Sequence, residues 1–190
     1  MSARDLGEVI VLNGAPRSGK SAIAEEIVST FQGDWVSIGV DSMMAATPAE
    51  LLPGIGLRPG AARPDLEIYV QEQYHQLFAD VAKRAWAGTK VVMDVGIHDD
   101  YSKPLGIADA MSVAFAGLDV LLVGVHCSLE MLRTRRAKTG YLSWAAGADV
   151  PDPVQRWQQA VHTELTYDVE VTTSALTSAE CVAQLRPPGA

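Results

Sequence analysis

The sequence is poor in cysteine, in aromatic residues and in positive charge. Cys127 and Cys181 are the only cysteines among the 190 residues, and they stand far apart, in no metal-ligand spacing. We therefore expect two buried thiols in a reducing compartment, which predicts a cytoplasmic protein rather than a disulfide-stapled one. Lys and Arg number 15 against 23 Asp and Glu, so the net charge of −8 disfavours a nucleic acid as partner.

Long apolar runs are also missing. No run approaches the roughly 18 residues that a membrane-spanning helix needs, and the polar segment 1–8 lacks the apolar core of a signal peptide. We expect no membrane partner. Hydrophobic residues nevertheless make up 48% of the chain, which is enough for a substantial core. The length predicts one domain over residues 1–190.

Short β-prone segments alternate with helical patterns along the chain. The expected strands are the segments 9–12, 35–40, 90–95, 118–127 and 168–171. The expected helices begin near residues 20, 65, 105, 130, 153 and 178, with a helical turn or two within 43–50. Asp65 is expected to cap the second helix and Gly88 to end it. This alternation predicts a three-layer α/β fold with a five-stranded parallel sheet, whose ligands bind at one edge.

The central motif is Gly14-Ala15-Pro16-Arg17-Ser18-Gly19-Lys20-Ser21, which matches G-x-x-x-x-G-K-S/T between a strand and a helix. The glycines allow backbone N–H groups to turn inward around an anion, and the helix dipole adds positive potential there. Lys20 is expected to reach the β- and γ-phosphates of ATP, and the Ser21 hydroxyl to ligate Mg²⁺. The motif predicts a P-loop NTPase or kinase fold. The alternative is a glycine-rich turn that binds nothing.

Two carboxylates follow strands at the same edge of the predicted sheet. Asp41 ends the second strand, where it could take a proton from a substrate hydroxyl that attacks the γ-phosphate. Its alternative role is to cap the next helix, as Ser42 also could. Asp94 ends a buried strand and is a candidate for holding Mg²⁺. Its alternative role is to accept hydrogen bonds from nearby backbone N–H groups.

A basic cluster and two irregular segments complete the candidate site. Arg135 and Arg136 are the best candidates for a cation that stabilises the transferring phosphoryl group, the alternative being a solvated basic helix face. The segment 51–65 is rich in Gly and Pro and contains Arg58 and Arg63, which could meet the substrate. The segments 51–65 and 133–153 are the candidates for a small mobile lid or for substrate-binding elements.

Several pieces of the sequence resemble the chloramphenicol phosphotransferase family of small P-loop kinases. The pieces fall in order along nearly the whole chain. The most specific of them are Gly39-Val40-Asp41-Ser42 and Tyr167-Asp168-Val169-Glu170-Val171. The full set of pieces is Leu12-Asn13-Gly14 leading into Ser18-Gly19-Lys20-Ser21, Gly39-Val40-Asp41-Ser42, Leu118-Asp119-Val120-Leu121, Val123-Gly124-Val125 followed by Cys127, and Tyr167-Asp168-Val169-Glu170-Val171 followed by Thr172.

The resemblance implies transfer of a phosphoryl group from ATP, with Mg²⁺, to a hydroxyl of chloramphenicol, which inactivates the antibiotic. It implies that Asp41 is the base that deprotonates the hydroxyl, and it places Arg135 among the arginines that meet phosphate. The segments 51–65 and 95–100 depart from the family, so the acceptor could be another small metabolite. A nucleotide-binding regulatory module without transfer remains a rival interpretation. A homo-oligomer is compatible with the sequence.

Overall fold

The computed structural model describes residues 6–45, 47–51, 57–140 and 142–185. The strands are β1 (Glu8–Asn13), β2 (Trp35–Gly39), β3 (Lys90–Val95), β4 (Asp119–His126) and β5 (Val169–Thr172). The helices are α1 (Lys20–Thr30), α2 (Val40–Ala45), α3 (Glu67–Trp86), α4 (Ile107–Ala114), α5 (Leu129–Ala137), α6 (Asp152–Ala160) and α7 (Ser178–Ala183). Short 3₁₀ turns occupy Ala49–Leu51 and Pro64–Leu66.

The five strands form one parallel sheet in the order β2-β3-β1-β4-β5, which confirms the predicted fold class. Strand β1 lies at the centre, with Val11 opposite Met93 of β3 and Leu122 of β4. Because all strands run the same way, their carboxyl ends meet at one edge of the sheet. The loops that follow β1, β2 and β3 therefore converge there, and β5 ends at the same edge on the far side of β4.

The sheet is covered on both faces, as its continuous apolar strands predict. Successive residues of a strand point to opposite faces, so Val9 and Val11 pack with α3 and α4, while Ile10 and Leu12 pack with α1 and α7. All four of these side chains are fully buried. Two apolar layers thus fix β1, and with it the loop that leaves its end.

Two local expectations needed correction. Asp65 does not cap α3, because a 3₁₀ turn precedes that helix and the Asp65 carboxylate instead pairs with Arg63 at 2.7 Å, both side chains being exposed. The helical turn expected within 43–50 begins earlier, at Val40, so that Asp41 lies in the first turn of α2. Gly88 ends α3 as expected: its φ is +91°, and its N–H donates to the Ala85 carbonyl.

The prediction of two buried thiols is confirmed, since Cys127 and Cys181 are both buried and free. Within the described ranges, no helix has the length and apolarity that crossing a bilayer demands. Part of the predicted lid segment 51–65 lies outside the described residues, as does residue 141 of segment 133–153.

Candidate active site

The glycine-rich loop joins the end of β1 to the start of α1 and packs tightly against its neighbours. Gly19 has φ +104°, and a Cβ atom added there would lie 3.1 Å from Nη1 of Arg135. A Cβ atom on Gly14 would lie 2.4 Å from the carbonyl oxygen of Val125. Neither position accepts a larger residue without a shift of its surroundings, which accounts for the two glycines of the motif.

Lys20 is held inside this loop. Its side chain is buried, and Nζ donates to the carbonyl oxygens of Gly14 at 2.8 Å and Ala15 at 3.1 Å. Nζ also lies 3.5 Å from Oδ1 of Asp94. A buried ammonium group needs such partners, and in this position it can exchange the two carbonyl oxygens for the oxygens of a bound phosphate.

Ser21 and Asp94 bring two oxygen ligands together beside Lys20. The Ser21 hydroxyl donates to Oδ2 of Asp94 at 2.8 Å. Hydroxyl and carboxylate oxygens suit Mg²⁺, which usually keeps several waters and takes few ligands from the protein. In the described part of the chain no group of three or more His, Cys, Asp or Glu residues could hold a metal ion. The Ser21 hydroxyl and the Asp94 carboxylate would therefore be the protein donors to a magnesium ion at this place.

A single cavity of about 1000 Å³ opens above the loop and extends to both sides of it. One side lies over β2 and β3, and its lining includes Asp41, Leu57, Arg58, Arg63, Tyr74 and Gly96. The other side lies over β5, and its lining includes Arg135, Thr173, Leu176, Thr177 and Ser178. Lys20, Ser21 and Asp94 lie between the two ends. The cavity thus has room for two ligands that meet above the loop.

The predicted arginines line this cavity in different settings. Arg135 is tethered: Nη1 donates to the Arg17 carbonyl and to Oγ1 of Thr173, both at 3.1 Å, and Nη2 donates to the Thr173 carbonyl at 3.0 Å. Arg136 is buried, and its Nη2 donates to the Pro16 carbonyl at 3.2 Å. Arg17 itself is exposed with a positive φ of 72°, and its guanidinium has no partner among the residues that the structure describes.

Three further residues shape the site although the motifs did not point to them. Thr173 is buried, and its hydroxyl donates to the carbonyl of Ser18 inside the loop. Tyr74 lines the cavity and donates to the Gly96 carbonyl at 3.3 Å, and burial raises its pKa well above the usual tyrosine range. Trp157 packs against Gly96. Only Thr173 carried a sequence signal, because it lies two residues after the predicted strand 168–171, at the ligand edge.

Asn13, the last residue of β1, anchors the loop from below. Its amide nitrogen donates to the Val161 carbonyl at 2.7 Å and to the Tyr167 hydroxyl at 2.8 Å. Its amide oxygen accepts the N–H of Ile97 at 2.7 Å. A fully buried amide with all these partners holds the ends of β1 and β3 together, next to the phosphate loop and Asp94.

A family model described as chloramphenicol phosphotransferase-like protein matches residues 7–188. The chain belongs to this family. A curated relative from Mycobacterium tuberculosis (strain ATCC 25618 / H37Rv), named "Putative O-phosphotransferase Rv2636", is 26% identical over 92% of this chain and 79% of its own length. The resemblance stated from the sequence is thereby confirmed, and the chain is an O-phosphotransferase enzyme.

Solved structures agree with the fold. The Mycobacterium tuberculosis APS kinase CysC, in complex with AMPPNP and APS, superposes with a TM-score of 0.61 at 16% identity, over 94% of this chain and 95% of that one. A gluconokinase from Sinorhizobium meliloti 1021 superposes with a TM-score of 0.57 at 20% identity, over 95% of this chain and 90% of that one. At these identities the similarity establishes the P-loop kinase fold alone.

Proposed function

We propose that the protein transfers the γ-phosphate of ATP to a hydroxyl group of a small molecule, with chloramphenicol as the candidate acceptor that the family suggests. One observation carries the proposal: Lys20, Ser21, Asp94 and Asp41 line the same cavity. A phosphate-binding cation, two ligands for a divalent metal ion and a carboxylate base are the groups that phosphoryl transfer requires.

The nucleotide would occupy the β5 side of the cavity, with its phosphates in the loop 14–21. The backbone N–H groups of the loop, the ammonium of Lys20 and the start of α1 all present positive charge to them. Arg135 would lie along the nucleotide on this side, since its guanidinium is tied to Thr173 and to the loop. The polar residues Thr173, Thr177 and Ser178 provide hydrogen-bonding groups there.

The proposed magnesium ligands are the Ser21 hydroxyl and the Asp94 carboxylate. When bound there, a magnesium ion would neutralise charge on the β- and γ-phosphate oxygens. The hydrogen bond between the two side chains keeps both oxygens on the same side of the loop, next to Lys20. The chain would thus hold the metal-binding oxygens in place before the nucleotide arrives.

Asp41 is the proposed base. Its side chain is exposed and lies at the end of β2, on the side of the cavity away from the nucleotide. There it would accept the proton of the acceptor hydroxyl while that oxygen bonds to the γ-phosphorus and the bond to the β-phosphate oxygen breaks, releasing ADP. Arg136 and Arg17 would face the charge that develops on the transferring group, and Arg135 would assist by fixing the loop.

An acidic metabolite is a second candidate acceptor. Arg58 and Arg63 line the acceptor side, although Arg63 is paired with Asp65 in this structure. Guanidinium groups recognise carboxylate and phosphate in a bidentate manner, so an acceptor that carries such a group would gain affinity over an uncharged one. Chloramphenicol carries no such group, and the two candidates can therefore be separated by experiment.

An acceptor screen with γ-labelled ATP and Mg²⁺ tests the proposal. The panel contains chloramphenicol, other hydroxylated antibiotics, and hydroxy acids paired with their amides. We expect label on at least one acceptor, and a hydroxy acid that outperforms its amide would favour the acidic class. ATP binding without transfer to any acceptor would instead support a nucleotide-binding regulatory module.

A further inference from the structure

The acceptor side of the cavity is bounded by the segment 57–63, which has no regular secondary structure and is called the wall below. Four of its residues line the cavity, namely Leu57, Arg58, Ala62 and Arg63. Ala61 has a φ of +56°, in the region that favours glycine, and such a backbone persists only when its surroundings hold it. The contacts that hold the wall therefore decide the shape of this side of the cavity.

The wall is attached to the loop that follows β3. The N–H of Gly60 donates to the Asp100 carbonyl at 2.8 Å, and His98 contacts the carbonyl of Leu57 at 3.3 Å through Nε2. A third, longer contact joins Nη1 of Arg156 to the Gly60 carbonyl at 3.5 Å. Of the side chains in these contacts, only the imidazole of His98 is buried, with an exposed fraction of 1%.

The contacts of His98 define its tautomer. The backbone N–H of Asp100 lies 3.2 Å from Nδ1, and because that group can only donate, Nδ1 must accept. The proton of the neutral ring then resides on Nε2, which donates to the carbonyl of Leu57. Burial lowers the pKa of His98, which favours this neutral form. The ring therefore joins two loops through two different nitrogen atoms.

Aromatic packing extends this arrangement to the cavity itself. The imidazole stacks on Tyr101 with ring centroids 4.4 Å apart, and it meets Trp157 edge to face at 4.9 Å. Leu57 and Trp157 both line the cavity, and neither is part of the phosphate loop. Both of these lining residues thus depend on the position of one buried ring.

We propose that His98 is a positioning residue for the acceptor: its imidazole fixes Leu57 and Trp157 and so determines how the acceptor hydroxyl is presented to Asp41. The inference rests on the proposed function, since it assigns the acceptor to this side of the cavity. His98 itself touches no reacting atom. Its loss should weaken acceptor binding and leave nucleotide binding intact.

Two substitutions separate the contacts of the ring. The side-chain oxygen in His98→Asn can still accept the N–H of Asp100, but the shorter side chain cannot reach Leu57. The side-chain amide in His98→Gln can still donate to the Leu57 carbonyl. His75→Asn is the matched control, because His75 is exposed on α3. Hydrogen exchange measured by mass spectrometry on the full chain reports on residues 57–63 without any acceptor.

For His98→Asn we expect exchange in residues 57–63 to accelerate about tenfold, because a buried hydrogen bond that closes the segment is lost. Exchange in α1 should stay unchanged. With the best acceptor of the screen, KM for the acceptor should rise about tenfold while KM for ATP stays within about twofold. His98→Gln should fall between His98→Asn and the wild type in both measurements, and His75→Asn should match the wild type.

Wild-type exchange in residues 57–63 of both His98 variants would overturn the proposal. So would faster exchange with an unchanged acceptor KM, or an equal rise of the two KM values. If His98→Asn does not fold, His98→Gln decides by the same criteria, with exchange in 57–63 expected to be about threefold faster than in the wild type. A wild-type enzyme that phosphorylates no acceptor would refute the proposed function, and the exchange data would still show whether His98 holds the wall.

Discussion

The Ser21 hydroxyl donates a 2.8 Å hydrogen bond to Asp94, although the two residues are 73 positions apart in the sequence. Ser21 stands in the first turn of α1, and Asp94 stands one residue before the end of β3. The bond links the helix that follows the phosphate loop to the neighbouring strand of the sheet. With Lys20 at 3.5 Å from the same carboxylate, the three side chains form one preorganised unit.

Replacing Ser21 by alanine tests the proposed magnesium site. Because Ser21→Ala removes one of the two protein oxygens, we expect the Mg²⁺ concentration for half-maximal transfer to rise about tenfold or more. Titration of activity with Mg²⁺ at saturating ATP measures this. Ser29→Ala is the control, since the Ser29 hydroxyl lies on the same helix and donates to the Glu26 carbonyl of that helix. An unchanged Mg²⁺ requirement in Ser21→Ala would contradict the assignment.

Asp41→Asn tests the proposed base. An amide cannot accept the hydroxyl proton, so we expect kcat to fall about 10²–10⁴-fold. Calorimetric titration with AMPPNP should give an affinity close to that of the wild type, because Asp41 lies on the acceptor side. Asp109→Asn, on the exposed side of α4, is the matched control. A normal turnover rate in Asp41→Asn would contradict the role of Asp41 as the base and leave it only a structural role in the first turn of α2.

Arg135→Ala should affect both stability and nucleotide binding. The substitution removes the hydrogen bonds to Thr173 and to the Arg17 carbonyl, so we expect a loss of about 1–2 kcal/mol in the free energy of unfolding. AMPPNP affinity should fall as well, since the loop is no longer tied to the end of β5. Urea denaturation and calorimetry measure the two effects. The control is Arg133→Ala, because Arg133 lies on the same helix but outside the cavity lining. This variant should change neither the free energy of unfolding nor the AMPPNP affinity. Equal effects in both variants would refute the role of Arg135.

The stability of the fold should depend on pH through His162. Burial, and secondly the neighbouring His126, lower the pKa of His162 from 6.5 to about 4. Between pH 4 and 6.5 the unfolded chain binds the proton and the folded chain does not. The contribution of His162 to the free energy of unfolding is therefore fully present above pH 6.5 and is lost progressively as the pH falls toward 4. Urea denaturation at several pH values measures the slope. In this window the free energy of unfolding of His162→Asn should vary less with pH than that of the wild type, and His75→Asn is the control that should match the wild type. If His162→Asn has the same slope as His75→Asn, the assignment is contradicted.

The fold was largely predictable because its signals are local. The strand, glycine-rich loop and helix around residues 9–28 carry apolar periodicity and a motif within a single stretch, and the alternation of elements implies a parallel sheet. The start of α3 was predicted incorrectly, because an Asp after Pro is typical of a cap. In the structure Arg63 competes for the Asp65 carboxylate and a 3₁₀ turn comes first.

The candidate site was predictable only where chemistry resides in a motif or follows a strand. Lys20 and Ser21 belong to the phosphate-loop motif, and Asp41 and Asp94 lie at the carboxyl ends of strands. Their arrangement around one cavity is observed, and their roles remain predictions. The contribution of Tyr74 and Trp157 depends on which helix reaches the cavity, and no local pattern encodes that. The tethering of Arg135 likewise depends on a residue that is 38 positions away.

A crystal structure with AMPPNP and Mg²⁺ tests the central claim most directly, because it shows whether the loop and Asp41 belong to one phosphoryl-transfer site. We predict the triphosphate within residues 14–21, Nζ of Lys20 moved from the Gly14 and Ala15 carbonyls onto phosphate oxygens, and Asp41 facing the γ-phosphate across the acceptor side. A nucleotide bound elsewhere, or a loop in which Lys20 keeps its bonds to those carbonyls, would contradict the account.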